Sequence, residues 1–448
     1  MKITIKNGLD LPIKGALNPA ETSLRPVHPK QIAICPDDFP GFIPKADVCS
    51  GDAISAGQPL MHHKNNDAVR LVSPVDGTVR DVVRGERRKI LRVVVDCADN
   101  TSAQAEPLTF DHKDTNAIFN ALAKSGLLAM MRQRPYDIVP TSLTSVRDIF
   151  VTAFTTAPLA RQSFADNNDM PLLEAAVALL APLTVGNIYI CRRQDTLNDV
   201  KGAVMVDVFG PHPAGNVGVQ IANIKPVNKG ETVWTLDYLT LRRIGMLALG
   251  KPVDWTTPVC VTGACIEKPY IACAPAGCAV STLFNRDMLT AKAAEKHIRI
   301  IAGNVLTGVH VTDDGFTRWP YNQLTVIPEG DDVDQFMGWA TFSPDQLSVS
   351  PSFTGTWLRK LFNPDARLHG AKRAIIMSGI YEKYLPMDIM LEYLVKAINA
   401  DDIENMEKLG IYEIAPEDVA LAEFADSSKM PLQAIIRHGL DLIRKENE

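Results

Sequence analysis

Polar and apolar positions alternate at the start of the chain, Met1-Lys2-Ile3-Thr4-Ile5-Lys6, a period of two that predicts a strand. Through the first hundred residues, short alternating stretches are punctuated by turn chemistry: Gly51-Asp52, Gly57-Gln58-Pro59, then Ser73-Pro74-Val75-Asp76-Gly77. Val82-Val83 and the apolar run 90–95 flank a polar turn at 84–89 and predict a hairpin. From about Asp111 the period lengthens. Ile118, Leu122 and Leu127 predict a helix over 116–131, while 148–154, 187–191, 203–208 and 232–236 read as strands. Further helices are predicted over 172–180 and over 237–249, the latter starting at Asp237 as N-cap and stopping at Gly250. Short strands return at 259–263, 269–273 and 298–303, with a small helix at 281–284. After Gly330 an irregular connector leads to four helices, over 387–399, 401–409, 416–424 and 431–445, with Pro416 a natural start and Gly410 a natural stop.

This order predicts an α/β multidomain protein. Residues 1–110 resemble the folded-over β-sandwich of biotinyl and lipoyl carrier domains in their paired Gly-Asp and Pro-x-Asp-Gly turns. Residues 111–255 alternate helix and strand as a Rossmann-like domain does. Residues 256–330 have the element order of a β-grasp (ubiquitin-like, SLBB-type) unit, and 331–448 form the connector and a helical domain.

Composition narrows the function. The 448 residues are 46% hydrophobic and 22% charged, an ordinary globular balance. A net charge of −6 and no basic stripe argue against a nucleic-acid partner. The apolar stretch 171–185 is interrupted by Glu174 and Pro182 and falls short of the ~20 residues a bilayer span takes, so the chain reads as soluble, with membrane association through a partner. Eight irregularly spaced cysteines suit a reducing cytoplasm better than a disulfide framework.

Candidate chemistry is sparse. Lys64, in His62-His63-Lys64-Asn65-Asn66-Asp67, stands where a carrier domain displays its modified lysine, but lacks the acidic or methionine flanks, so an unmodified loop is the better reading. His62 and His63 are adjacent and suit one metal poorly on a strand. Cys260, Cys265, Cys273 and Cys278 are separated by four, seven and four residues, which fits core packing better than the tighter knuckles of zinc or iron–sulfur sites. Arg84, Arg87, Arg88 and Lys89 read as a solvated hairpin tip. Asp331, Asp332 and Asp334 lack the glycine and glutamate of a calcium loop. Gly210-Pro211-His212-Pro213-Ala214-Gly215 follows a strand at an edge where α/β proteins bind ligands; His212 is a ligand or partner contact there, or the loop is only a turn. Most informative is Met131-Arg132-Gln133-Arg134-Pro135, where a dinucleotide or flavin domain would place glycines to bring backbone N–H groups to a phosphate. Arg132 and Arg134 are expected to end a helix beside the sheet, capping its carbonyls or meeting a ligand. No catalytic residue and no metal ligand is assigned.

Several motifs resemble those of the A-type subunit of the sodium-translocating NADH:quinone oxidoreductase family, the respiratory sodium pump. They are Lys6-Asn7-Gly8-Leu9-Asp10-Leu11-Pro12-Ile13-Lys14-Gly15, Ser73-Pro74-Val75-Asp76-Gly77, Gln133-Arg134-Pro135-Tyr136-Asp137, the Gly210 to Gly215 string, Ile301-Ala302-Gly303-Asn304-Val305-Leu306-Thr307-Gly308, Tyr381-Glu382-Lys383 and Ala415-Pro416-Glu417-Asp418. The resemblance implies a peripheral subunit on the cytoplasmic side of the bacterial inner membrane. Its partners would be the other subunits of the complex, integral ones included, and it would support quinone reduction. The architecture is also similar to flavin and iron–sulfur subunits of other respiratory complexes, but the glycine loop is missing and no cysteine lies beyond Cys278. The implied cofactor content of this chain is therefore none, with NADH, flavins, iron centres and quinone used through other subunits. Two rival readings stay open: a purely structural docking scaffold, and an independent flavoprotein dehydrogenase.

Overall fold

A six-stranded sheet organises the middle of the molecule, in the order Lys2–Thr4, Val204–Phe209, Ile188–Arg192, Asp148–Thr152, Val233–Asp237, Arg132–Arg134. The computed structural model describes residues 1–18, 21–98, 108–331, 347–349, 361–368, 372–376 and 379–447. Five of these six strands run parallel; Arg132–Arg134 pairs antiparallel at the edge. Parallel strands buried on both faces read as continuous apolar runs, as in Asp148–Thr152, whose Ile149 and Val151 enter one core while Phe150 enters the other and stacks on Tyr189 at 4.9 Å. The helices Met170–Leu180 and Tyr238–Ala248 pack on the first face and Val217–Ile224 on the second. The chain runs outward from Asp148–Thr152 through Ile188–Arg192 to Val204–Phe209, then returns to the far side of the first strand as Val233–Asp237. That reversal is a topological switch point, where the loops leaving the strand ends diverge and leave a crevice.

Asp237 caps its helix as expected, its carboxylate accepting from the Thr240 N–H at 2.8 Å. The helix expected over 116–131 is shorter. It spans Thr115–Lys124, and Gly126, at φ +81°, turns the chain away. The backbone then becomes extended, aided by Pro135, which disfavours helical geometry in the residue before it. Arg132 and Arg134 therefore sit on an edge strand rather than at a helix end.

The N-terminal β unit consists of two small sheets. One has Gln31–Ile34, Ile90–Cys97, Gly77–Arg84 and Ala53–Ile54; the other has Pro44–Ala46, Pro59–His63 and Asn66–Val72. Two short segments near the start of the chain pair outside it. Lys2–Thr4 joins the central sheet, and Leu24–Pro26 becomes the edge of a third. That sheet runs Val309–Val311, Ile298–Ala302, Gln323–Pro328, Thr256–Thr262, Tyr270–Pro275, Leu24–Pro26. Arg243, buried on the helix Tyr238–Ala248, ties the two larger sheets together. It donates to the carbonyls of Asp254 and Thr256 and to the Thr257 hydroxyl, and lies over the rings of Trp255 and Trp319.

Toward the C-terminus, Leu391–Asn399 packs Leu394, Val395 and Ile398 against Ile436, Leu440 and Ile443 of Leu432–Asn447. Gly439 permits the close approach, since a Cβ there would lie 2.9 Å from Ile398. The turn Pro416–Val419 and the helix Ala420–Ala425 lie between them and the central sheet. Among the described residues no helix is long and apolar enough to cross a membrane. Asp332 and Asp334 lie outside the described residues, and Asp331 pairs with His297 at 2.8 Å.

Candidate functional site

A cavity of about 580 Å³ opens at the carboxyl ends of the central strands. Every part of the chain contributes to its wall: Asp37 and Asp38 from the N-terminal unit, the loops after Thr152, Phe209 and Asp237, residues 303–323 of the third sheet, and Pro416, Glu417 and Arg437 from the C-terminal helices. Arg132 and Arg134 line it together with His212, which lies 78 residues after Arg134.

His212 is placed by its own loop. Its backbone N–H donates to Asp10 Oδ1 at 2.8 Å, and its Nδ1 lies 3.1 Å from the Thr156 hydroxyl. That hydroxyl also accepts from the Gly215 N–H at 2.9 Å and keeps one proton and one lone pair for Nδ1, so it pairs with either ring tautomer. Burial pushes the imidazole down to about 4, with Asp10 pulling weakly the other way, so the ring is neutral at neutral pH. Nε2 is buried and has no hydrogen-bond partner among the described residues. A buried polar nitrogen without a partner is costly.

Arg132 is largely committed to structure. Its Nη1 donates to the carbonyls of Ala129 and Met131, capping the short turn before it as its sequence position suggested, and Nη2 donates to the Asp38 carbonyl at 2.9 Å. Asp38 in turn accepts from Arg318 and from the Trp319 N–H, joining the N-terminal unit to the third sheet across the cavity mouth. Arg134 is deeper, 3% exposed, with Asp137 at 3.5 Å, Glu417 at 3.5 Å and Asp418 at 3.7 Å. Burial works against its charge, but Asp137, Asp418 and Glu417 more than offset that and hold it protonated. Asp418 is wholly buried; burial pushes its carboxyl up to about 6, against the pull of Arg134. Glu417 and Asp418 were assigned no role in the sequence, where Ala415-Pro416-Glu417-Asp418 read as a helix start and as part of the family resemblance. Nothing local signals that this turn reaches a strand 283 residues earlier.

The other candidates are dispersed. Lys64 is exposed at the tip between Pro59–His63 and Asn66–Val72. His62 pairs with Asp47 at 2.6 Å, while His63 is core, edge-on to Phe42. Cys265 and Cys278 pack inside the third sheet's core, Cys273 is half-buried, and Cys260 lines the cavity. Among the described residues no three His, Cys, Asp or Glu side chains gather as a metal site. Arg84, Arg87, Arg88 and Lys89 are exposed, with Lys89 paired to Asp37.

Residues 3–98 match the family model described as "NqrA N-terminal barrel-sandwich hybrid domain", and 113–250 match "NqrA second alpha/beta domain". The chain is similar to the A-type subunit of the Na(+)-translocating NADH-quinone reductase of Vibrio anguillarum, at 32% identity over 99% of this chain and 100% of that one. The corresponding Rhodopirellula baltica protein is 31% identical over 99% and 98%. A solved NAD+-reducing [NiFe]-hydrogenase aligns at 14% identity over 49% of this chain and 48% of that one, with a TM-score of 0.32, too loose to carry an argument.

Proposed function

This chain belongs to the NqrA family, the A-type subunits of the Na(+)-translocating NADH-quinone reductase, and from that premise we propose that it is a peripheral subunit on the cytoplasmic side of the bacterial inner membrane, held there by integral partner subunits and supporting quinone reduction with no flavin or iron–sulfur cluster of its own. The isolated chain would have no turnover, because electrons arrive and leave through its partners. Within the same proposal the central sheet is Rossmann-like, the third sheet is a β-grasp unit and the C-terminal segment is a helical domain.

The observation that carries the quinone contact is the cavity, with His212 in its wall and the ring's Nε2 unpartnered among the described residues. A quinone ring is flat, uncharged and carries two carbonyl acceptors. Phe154, Tyr238, Trp319 and Tyr321 supply aromatic walls, and His212, in the tautomer with its proton on Nε2, supplies a neutral donor. In that role His212 binds and orients a carbonyl; as a neutral ring it does not bring a charge to the headgroup.

Photolabelling of the intact complex with a quinone analogue, mapped by peptide, tests this. Labels in 153–163, 212–217 or 235–239 are expected. Labels confined to partner chains would reduce this chain to a docking scaffold. A stoichiometric flavin absorbance from the purified chain would overturn the cofactor-free reading in favour of a flavoprotein.

A further inference from the structure

The helix Val217–Ile224 starts without a local cap. Asn216 is of a type that ordinarily turns its side chain onto the first free N–H groups, yet it makes no such bond. Its Nδ2 donates instead to the Glu417 carbonyl at 3.0 Å. What stands against the first turn is the carboxylate of Asp418, 202 residues after Asn216. A Cβ on Gly218 would lie 2.1 Å from Oδ2 and 2.6 Å from Oδ1. Oδ2 accepts from the Ala415 N–H at 2.9 Å, while Oδ1 is buried without a hydrogen-bond partner among the described residues.

Arg134 faces the same spot. Its Nη1 lies 3.7 Å from Oδ2, and its Nε and Nη1 are buried with no hydrogen-bond partner among the described residues. A helix start at the carboxyl end of a parallel strand is where α/β folds hold phosphate, because free N–H groups and the helix dipole point there. Each requirement of such a site is present: the helix end, a residue without a side chain that permits close approach, and a buried guanidinium. The chain's own Asp418 carboxylate fills the anion's place beside Gly218, while among the described residues no N–H of that turn donates to it.

We propose that the first turn of Val217–Ile224 and Arg134 form an oxyanion site whose place is filled by the Asp418 carboxylate, which closes that end of the cavity to phosphate-bearing ligands. A flavin mononucleotide or dinucleotide does not fit while Asp418 is seated, since its phosphate would meet a buried carboxylate rather than open N–H groups. The site selects ligands that are uncharged at this end. This holds whether or not quinone enters, so it stands apart from the function proposed above.

The test uses the full chain, wild type and Asp418→Ala, titrated with sodium formate, inorganic phosphate and, at matched ionic strength, chloride. Thermal melting and phosphorus NMR line width are the readouts. The alanine chain should melt below wild type, and formate and phosphate should each raise its melting temperature saturably, recovering most of the deficit. Chloride should not. Phosphate should broaden only with the alanine chain, and adding Arg134→Gln to it should abolish the response. An alanine chain that responds to formate and phosphate no more than to chloride overturns the proposal, as does a wild-type chain that binds phosphate equally well. Rescue by formate alone overturns the phosphate claim. If the alanine chain does not fold in chloride, recovery on refolding in formate or phosphate is the readout, and no recovery in either refutes the site.

Discussion

Arg134→Met removes one cation from a place where three carboxylates converge, and keeps most of the side-chain volume. Asp418, wholly buried, would lose its compensating charge, whereas Glu417, with a side chain 47% exposed, can turn toward water. Breaking a buried ion pair from one side costs about 3–5 kcal/mol, and the exposure of Glu417 argues for the low end. A multidomain chain has no single unfolding free energy, so the local measurement is hydrogen exchange of residues 415–425. A loss of about 3 kcal/mol speeds exchange there roughly 150-fold. The pH dependence identifies the cause. Asp418 is raised in the fold, to about 6 from an ordinary 3.8, so its proton favours the fold below the ordinary value and that gain is lost as pH rises through about 6. Without Arg134 the carboxyl moves higher still. The variant's deficit, corrected for intrinsic exchange, should be full at pH 8 and markedly smaller at pH 5. A change under about threefold at pH 8 would refute the electrostatic account. A deficit equal at both pH values would assign the loss to packing alone.

Two further outcomes follow from the same geometry. Gly218→Ala, a change that ordinarily stabilises a helix by about 1 kcal/mol, should instead destabilise by roughly 1–3 kcal/mol, because the new methyl lands 2.1 Å from the Asp418 carboxylate; a melting temperature at or above wild type would show that the turn moves aside freely. Under a thiol-reactive dye, exposed Cys49 should react first, while Cys191, whose thiol burial pushes far up, should react only with unfolding; early labelling of Cys191 would contradict its place in the core.

The strands of the central sheet other than Arg132–Arg134 were legible because runs such as Asp148–Thr152 and Val233–Asp237 are apolar on both faces, and the helix after Asp237 because its cap is local in sequence. The early end of the first helix was legible only in part. Gly126 marks it, but Leu127 continues the apolar period beyond that glycine, and the run belongs to a short turn packed in the same core. Lys2–Thr4 was legible as a strand from the alternation over 1–6, though not the sheet it joins, whereas Leu24–Pro26 left no signal, since three residues carry almost no periodicity. Of the candidate site, Arg132 and Arg134 could be named from the missing glycines around them and His212 from its place after a strand, and all three line the cavity. Asp418 could not, because its role depends on which distant turn packs on Asn216 and Gly218.

The same dependence explains why the cavity belongs to the whole chain and to no single sheet. The central sheet supplies the switch-point crevice, but a crevice open to water on three sides would leave His212 and Arg134 solvated and ordinary. Asp38 paired with Arg318 closes one side, and the Pro416–Val419 turn closes another. Burial then makes His212 a neutral ring, and the converging carboxylates hold Arg134 as a fixed cation against its own burial. Those two properties, unlike the strand order, arise only once segments 201 to 283 residues apart have packed, so the electrostatic character of the site is a product of assembly.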